Sequence, residues 1–185
     1  MPRKVTSTST RDRIVEIARE LFAEHGYTGT TIADIARGLG TTTAALYYHF
    51  DSKAEILDAI LAEPMAAYAD MAERATHGRL PPEEILGGYV DFVAETRHVL
   101  PLVTADPRIH TVLDERLPRR PQEMVDAIVA TLAGPRPSRA ALIRAHAAFA
   151  VVKEATVAAL GSDDELSRAD RREIVAAALR ALRKG

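Results

Sequence analysis

The chain has 185 residues, and its 24 lysines and arginines against 26 aspartates and glutamates give a formal net charge of −2. A hydrophobic fraction of 47% is enough for a buried core, which excludes a disordered or fibrous protein. The chain has no cysteine, so disulfides and thiol chemistry are excluded. Its polar start has no signal-peptide core and no apolar run could span a bilayer, so we expect a soluble, cytoplasmic protein.

Residues 1–9 are expected to form a flexible basic arm. Arg3 and Lys4 lie in it, and Arg11 and Arg13 follow closely. Since the chain as a whole is slightly negative, the positive charge that a polyanionic partner needs has to be local. The arm is either a solvated tail or a DNA-contacting segment, and the sequence leaves both possibilities open.

A first helix is predicted from Ser9 to Glu24. Ser9, with Asp12 three residues later, has the spacing of a capping box, and Gly26 ends the helix. Apolar residues recur on one face, at positions 14, 17, 18, 21 and 22. This face is expected to share a core with the next two helices.

Residues 31–50 have the pattern of two short helices joined by a turn. Thr31 and Asp34 repeat the capping-box spacing at the start of the first of them. Its apolar stripe falls at positions 32, 35, 36 and 39. Gly38 and Gly40 supply the backbone freedom that ends this helix and turns the chain.

The second short helix begins near Thr41 or Thr42, whose hydroxyls can cap it, and turns Leu46 and Phe50 inward. Two short helices joined by a glycine-containing turn predict a DNA-reading helix-turn-helix. A helix in the major groove needs small side chains at its close end and donors near bases and phosphates. The candidate DNA-contacting positions are Thr41, Thr42, Thr43 and Ala44. Tyr47 and His49 face outward with donors available, and Tyr48 either faces outward or packs on the core.

Beyond the head, Ser52 with Glu55 opens a fourth helix, which Pro64 is expected to interrupt. A new helix restarts at Pro64 and runs to about His77. Other prolines divide the rest into helices opening at Pro82, near 107–116 and 121–133, and over 138–160 and 166–184. Without β-type alternation, we predict an all-α fold. It has an N-terminal three-helix head with the helix-turn-helix over 10–55, and a C-terminal helical bundle over 56–185 for dimerisation and ligand binding.

The last two helices carry more apolar surface than one small body can cover. Within 138–160, apolar residues recur in three- and four-residue steps, which is the pattern of a packed helical seam. We therefore predict a homodimer interface on both helices, the alternative being that this surface is monomer core. The predicted interface residues are Leu142, Ala145, Ala148, Val152, Ala155, Ala159, Val175, Leu179 and Leu182.

The C-terminal bundle also offers an apolar interior with a few polar groups, the composition of a small-molecule pocket. The candidate lining residues are Tyr68, Met71, Tyr89, Phe92, Thr96, Met124, His146, Phe149 and Lys153. Because this set contains few charged side chains, it favours an apolar or aromatic ligand. Lys153 would meet a ligand carboxylate if it pointed inward. The same residues could instead be ordinary core.

Nothing in the sequence indicates catalysis. The six histidines show no pairing at helical spacing and no carboxylate partner at ligand spacing, so we expect no metal site. No nucleophile motif and no phosphate-cradling glycine loop occur. We therefore expect no cofactor and no enzyme activity.

The head resembles the TetR (tetracycline-repressor) family of bacterial transcription regulators. The matching residues are Leu21-Phe22, Gly26-Tyr27, Thr30-Thr31, Ile35-Ala36, Leu46-Tyr47-Tyr48-His49-Phe50 and Lys53, over roughly residues 10–60. The resemblance implies an all-helical homodimer whose C-terminal domain binds a small molecule that changes DNA affinity. It also implies that Tyr47, His49 and Lys53 contact the phosphate backbone. Thr31 is placed similarly, at a helix start whose free N–H groups attract a phosphate.

These features predict a ligand-responsive DNA-binding regulator, acting as a repressor, that binds a pseudo-palindromic operator as a homodimer. A small apolar or aromatic effector would release it. One alternative is an effector-independent architectural DNA-binding dimer. Another is a ligand-binding or catalytic helical bundle whose head has lost DNA function, against which the intact segment 41–53 argues.

Overall fold

The regular structure of the chain is helical throughout the described residues, which are 9–78, 80–99, 109–116, 120–161 and 165–183 of the computed structural model. The helices are α1 (Thr10–His25), α2 (Ile32–Leu39), α3 (Thr43–Tyr47), α4 (Lys53–His77), α5 (Pro82–Glu95), α6 (Ile109–Arg116), α7 (Pro121–Ala133), α8 (Arg139–Leu160) and α9 (Arg168–Leu182), with a 3₁₀ turn at Arg97–Val99. The predicted all-α class is confirmed. Within these ranges, no helix has the length and hydropathy that a membrane crossing requires.

The chain divides into two compact units. The head unit comprises the described residues up to Pro64 together with those of His98–Arg116, and the body unit comprises the remainder. The division therefore falls inside α4 and not at residue 55, where the sequence placed it. The reason is that the first turns of α4 are themselves apolar: Ile56, Leu57 and Leu61 are buried.

Side-chain caps set the ends of the head helices. Ser9 and Asp12 form the predicted capping box at α1, with both hydrogen bonds at 3.1 Å. Thr31 and Asp34 do the same at α2. The last turn of α2 closes at Gly40, whose φ of 70° lies in the left-handed region that favours glycine. Both capping boxes and the glycine stop are thus confirmed.

A small apolar core holds the head helices together. α1 packs on α2, and α2 packs on α3. The buried side chains are Ile14, Ala18, Phe22, Ile35, Ala36, Leu46 and Phe50. Gly38 permits the close approach of α1 and α2, since a Cβ there would lie 2.9 Å from Ile17 Cγ2. Because Leu46 and Phe50 are anchored in this core, the outward face of α3 is fixed as well.

α4 runs without interruption through Pro64, so the predicted break at this residue is wrong. A proline inside a helix leaves the carbonyl of Ile60 without its N–H partner and costs about 3 kcal/mol. Tyr68 and Met71 after the proline and Leu61 before it are buried, and burying such side chains stabilises by roughly 1.5–3 kcal/mol each. Packing on both sides of Pro64 therefore outweighs the lost hydrogen bond.

In the body unit, α8 is the central helix. It packs against α5, α7 and α9, and α9 packs against α5 as well. Ala145, Ala148 and Val152 of α8 are 0% exposed within the single chain. The prediction that these three residues meet a second subunit is therefore wrong, because the protomer's own helices already cover them. Val175 is buried too, whereas Leu142, Ala155, Leu179 and Leu182 are half-buried and Ala159 is exposed.

The opposite face of α8 is largely apolar and open, with exposed Glu154 among its side chains. Ile143 and Val157 are 59% and 41% exposed, and both belong to this face by helical spacing. Exposed Ala147, Ala150 and Ala158 lie beside them. These exposed apolar side chains lie on the face of α8 that the predicted interface residues do not occupy.

Candidate nucleic-acid interface

The start of α3 presents a small, polar surface. Residues 41–45 are all exposed, whereas Leu46 and Phe50 on the other side are each 1% exposed. The hydroxyl oxygen of Thr42 accepts a hydrogen bond from the Ala45 N–H at 3.2 Å and caps the helix. The predicted DNA-contacting positions Thr41, Thr42, Thr43 and Ala44 are therefore together on one accessible surface. Small side chains there leave room for a groove wall to approach the backbone.

An aromatic pair stands at the end of α3. Tyr47 and Tyr48 are 53% and 87% exposed. The alternative that Tyr48 packs on the core is therefore wrong. Its ring meets the His49 ring edge-on, with the centroids 5.3 Å apart, and His49 is half-buried. Three side chains with N–H or O–H donors thus border the surface of residues 41–45.

The start of α2 is capped by the chain's own carboxylate. The Thr31 hydroxyl donates to Asp34 Oδ2 at 2.6 Å, and the Thr31 N–H donates to the same oxygen at 2.9 Å. Arg37 pairs with Asp34 Oδ1 at 2.8 Å. These bonds, the Thr31 hydroxyl first among them, lower the pKa of Asp34 to about 2. A phosphate at Thr31 would therefore have to share this helix end with a carboxylate.

Lys53, at the start of α4, has partners inside the head. Its ammonium donates to the carbonyl oxygens of Tyr27 at 2.7 Å and Thr30 at 2.8 Å. It also lies 4.3 Å from the centroid of the Tyr27 ring. Sequence reasoning assigned Lys53 only to the phosphate backbone and missed these bonds. No local sequence pattern predicts these hydrogen bonds, because the partners lie more than twenty residues away in the chain.

A second cation of the head is also used internally. The guanidinium of Arg11 stacks over the Phe50 ring, 4.4 Å from its centroid. The sequence analysis placed Arg11 directly after the basic arm, and this contact ties the start of α1 to Phe50, which follows α3. Arg3 and Lys4, the arm residues predicted to contact DNA, lie outside the described residues.

The predicted ligand-lining aromatics pack on one another in the body unit. Tyr89 and Phe149 stack with ring centroids 3.8 Å apart, and Tyr68 and Phe92 stack at 4.8 Å. Burial raises the pKa of the Tyr68 and Tyr89 hydroxyls above the ordinary range for tyrosine. The four rings therefore form a continuous stack, in which each ring is a neighbour's packing partner.

The other predicted lining residues divide between core and surface. Met71, Met124 and Thr96 are buried, and the Thr96 hydroxyl donates to the Phe92 carbonyl at 2.7 Å. His146 is exposed. Lys153 is exposed as well, with its ammonium 3.3 Å from the Glu154 carboxylate, so the condition under which it would meet a ligand carboxylate, that it points inward, is not met.

An ion pair that the sequence did not reveal separates two clefts in the body unit. Arg171 of α9 donates to both carboxylate oxygens of Asp91 of α5, each at 2.6 Å. Gly87 makes room for it, since a Cβ there would lie 2.9 Å from Arg171 Nη2. The clefts measure about 310 and 250 Å³, and both are lined by Asp91 and Arg171. Among the described residues, no group of three or more histidines and carboxylates is arranged to hold a metal ion.

The sequence of the head is similar to known proteins. Residues 14–60 fit the family of bacterial regulatory proteins named tetR. Over 48 residues the chain is 50% identical to the biofilm operon icaADBC HTH-type negative transcriptional regulator IcaR of Staphylococcus aureus, which is 26% of each chain. Identity to IcaR of Staphylococcus epidermidis is 48% over 46 residues, 25% of each chain. The match thus spans about a quarter of the length of these relatives.

Solved structures match over nearly the whole chain. A transcriptional regulator of Aquifex aeolicus aligns with a TM-score of 0.66 at 18% identity, covering 91% of this chain and 97% of that one. A TetR-like transcriptional regulator from Rhodococcus aligns with a TM-score of 0.66 at 18% identity, covering 98% of both chains. At these identities the likeness concerns the fold, a helix-turn-helix head followed by a helical C-terminal domain.

Proposed function

We propose that this chain, a TetR-family transcriptional regulator, is a homodimeric repressor that works in the cytoplasm, binds a pseudo-palindromic operator and leaves it when a small molecule binds. The observation that carries the proposal is the surface of residues 41–45. It is small, polar and exposed, and Leu46 and Phe50 hold it rigidly from behind. The IcaR relatives are named as negative regulators, which supports repression over activation.

On DNA, the start of α3 enters the major groove. The threonines donate to base edges or pack their methyl groups against thymine methyls, so base preference depends partly on DNA shape. Tyr47 and His49 contact the phosphates that border the groove. Thr31 reaches a phosphate at the start of α2, in competition with Asp34. Such phosphate contacts fix the register of the head and make binding depend on salt.

Two heads are linked through the open apolar face of α8. Ile143 and Val157 are the large exposed apolar side chains of this face, and the alanines beside them would permit close approach of a second helix. A two-fold axis here would pair the same patch from each subunit. Linked heads then occupy half-sites about 34 Å apart or a multiple of that distance.

The effector would act through the body unit. An apolar or planar aromatic ligand could open the stack of Tyr68, Tyr89, Phe92 and Phe149 and take the place of one ring contact. α4 offers a route to the head, because it begins in the head unit and ends in the body unit. To release DNA, the ligand must prefer the conformation with misplaced heads, and typical couplings are about 1–3 kcal/mol.

The same stack also favours a second candidate, an architectural DNA-binding dimer without an effector. Tyr89 and Phe149 at 3.8 Å already fill the space that a ligand between them would need. In this alternative the body unit only dimerises, and DNA binding has weak sequence preference.

Selection of bound sequences from random duplex DNA tests these functions. The repressor account expects an enriched pseudo-palindrome, with much weaker binding to a duplex that carries one half-site. Binding without any enriched sequence would support the architectural alternative. Apolar acids and planar aromatics are then titrated against the preformed complex, and release by any of them separates the two accounts.

A further inference from the structure

We propose that Lys53 is a positioning residue that locks the first turn of α4 to the loop between α1 and α2, so that the helix-turn-helix follows any displacement of α4. This loop comprises residues 26–31 and is called the α1–α2 loop below. The inference rests on the proposed function, since it assigns Lys53 to the transmission of a movement that DNA binding would report.

The contacts of the ammonium carry the inference. Its hydrogen bonds of 2.7 Å to the Tyr27 carbonyl and 2.8 Å to the Thr30 carbonyl join α4 to two points of the α1–α2 loop, one near each end. Both carbonyls belong to the loop between α1 and α2. A charged donor that bonds two such oxygens forms hydrogen bonds stronger than neutral ones. Lys53 is therefore part of the scaffold of the head.

The rest of the α1–α2 loop is braced toward the core. The buried Thr30 hydroxyl lies 3.1 Å from the Leu21 carbonyl and 3.0 Å from the Gly26 carbonyl. The Tyr27 ring meets Phe22 edge-on, with centroids 5.2 Å apart, and its face is covered by the Lys53 ammonium. One side of this ring thus contacts the core of α1, and the other contacts α4.

The locked loop leads directly into the DNA-binding elements. Thr31, the cap of α2, follows Thr30, whose carbonyl Lys53 holds. α2 in turn packs on α3. A shift at the start of α4 therefore moves the Thr30 carbonyl, the start of α2 and the surface of α3 together. Lys53 serves DNA binding through these residues and not mainly through a bond to phosphate.

The salt dependence of operator binding separates the two roles. Lys53→Met removes the hydrogen bonds from the ammonium to the loop. Since hydrogen bonds to a charged group are lost, we expect about tenfold weaker operator binding. The slope of log affinity against log salt concentration should not change. A phosphate contact would instead lower the slope by roughly one ion. Arg37→Met is the matched control, since it removes an exposed cation of the same unit. A slope that falls in Lys53→Met but not in Arg37→Met would overturn the proposal.

A second measurement does not depend on DNA. Hydrogen exchange at the amides of residues 27–30 should become faster in Lys53→Met than in Arg37→Met, because Lys53 holds two carbonyls of this loop whereas Arg37 pairs with Asp34 of α2. Unchanged exchange in Lys53→Met would overturn the proposal even if operator binding fell. If the wild-type protein selects no operator, the proposed function fails, and the exchange result alone still decides whether the lock exists.

A double-mutant cycle with Tyr27 completes the test. Tyr27→Leu removes the ring that the ammonium covers, and Tyr27→Phe keeps it as a control. We expect Lys53→Met to cost less affinity in the Tyr27→Leu background than in the Tyr27→Phe background, since contacting residues are not additive. Equal losses in both backgrounds would contradict the coupling on which the proposal depends.

Discussion

The head unit and the body unit bury their apolar side chains in different ways. In the head, Leu46 and Phe50 point inward, and the exposed side of the same segment is small and polar. In the body, the central helix α8 carries apolar side chains on both sides, with Val152 fully buried and Ile143 more than half exposed. The polar side of a head helix thus identifies its functional surface, whereas in the body the functional surface resembles the core.

The largest effects are expected when a glutamate is introduced on each of the two faces of α8, one buried and one open. Val152→Glu places a carboxylate in the packed interior, and an unpaired buried charge costs several kcal/mol. We expect this variant to lose cooperative unfolding or to melt far below the wild type. Circular dichroism during a thermal scan measures this. A Val152→Glu protein that melts like the wild type but sediments as a monomer would restore the dimer assignment made from the sequence.

On the open side of α8, the same change should separate subunits and leave the fold intact. Ile143→Glu and Val157→Glu each put a charge into the proposed interface without disturbing the protomer core. Sedimentation should show monomers, and operator affinity should fall because two half-sites need two linked heads. Ala130→Glu, at an exposed alanine of α7, is the control. If both α8 variants remain dimers, the dimer interface lies on another surface.

A smaller effect is expected at the ion pair between α5 and α9. Asp91 and Arg171 are well paired but nearly half exposed, so solvent screens them. Asp91→Asn should lower the free energy of unfolding by about 1 kcal/mol, measured by urea denaturation. Arg180→Leu, which removes the more exposed pair with Glu173, should have almost no effect. Equal losses in both variants would mean that the bidentate geometry contributes nothing.

Sequence reasoning was most accurate where local patterns determine structure. The capping boxes at Ser9 and Thr31 and the stop at Gly40 follow from short-range chemistry, and the resemblance of the head to the tetR family is confirmed over residues 14–60. Pro64 was misjudged because tertiary packing outweighs a local penalty. The inward face of α8 could not be assigned, since hydrophobic periodicity cannot choose between two apolar faces. The partners of Lys53 and Arg171 are distant in sequence, so no spacing rule predicts them.

The smallest expected effect concerns the cap of α2. Hydrogen bonds from Thr31 hold the pKa of Asp34 at about 2, below its ordinary value of 3.8. A lowered carboxyl pKa stabilises the fold above the ordinary pKa, and this contribution is lost as the pH falls toward 2. In Thr31→Ala the pKa should rise toward 3.8, so the pH-dependent contribution becomes smaller and its loss is complete at a higher pH. An NMR titration of the Asp34 carboxyl carbon measures the shift, and an unchanged pKa would contradict the assignment of its cause.

The central claim is that the exposed start of α3 reads DNA, and one substitution tests it most directly. Ala44 is exposed, so Ala44→Glu should leave the melting temperature unchanged while placing a negative charge against the groove. Like charges at an interface cost several kcal/mol, so affinity for the selected operator should fall by about 100-fold or more. Fluorescence anisotropy with a labelled duplex measures this loss, with the melting temperature taken from the same sample. Wild-type affinity in a fully folded Ala44→Glu protein would show that α3 does not enter the groove.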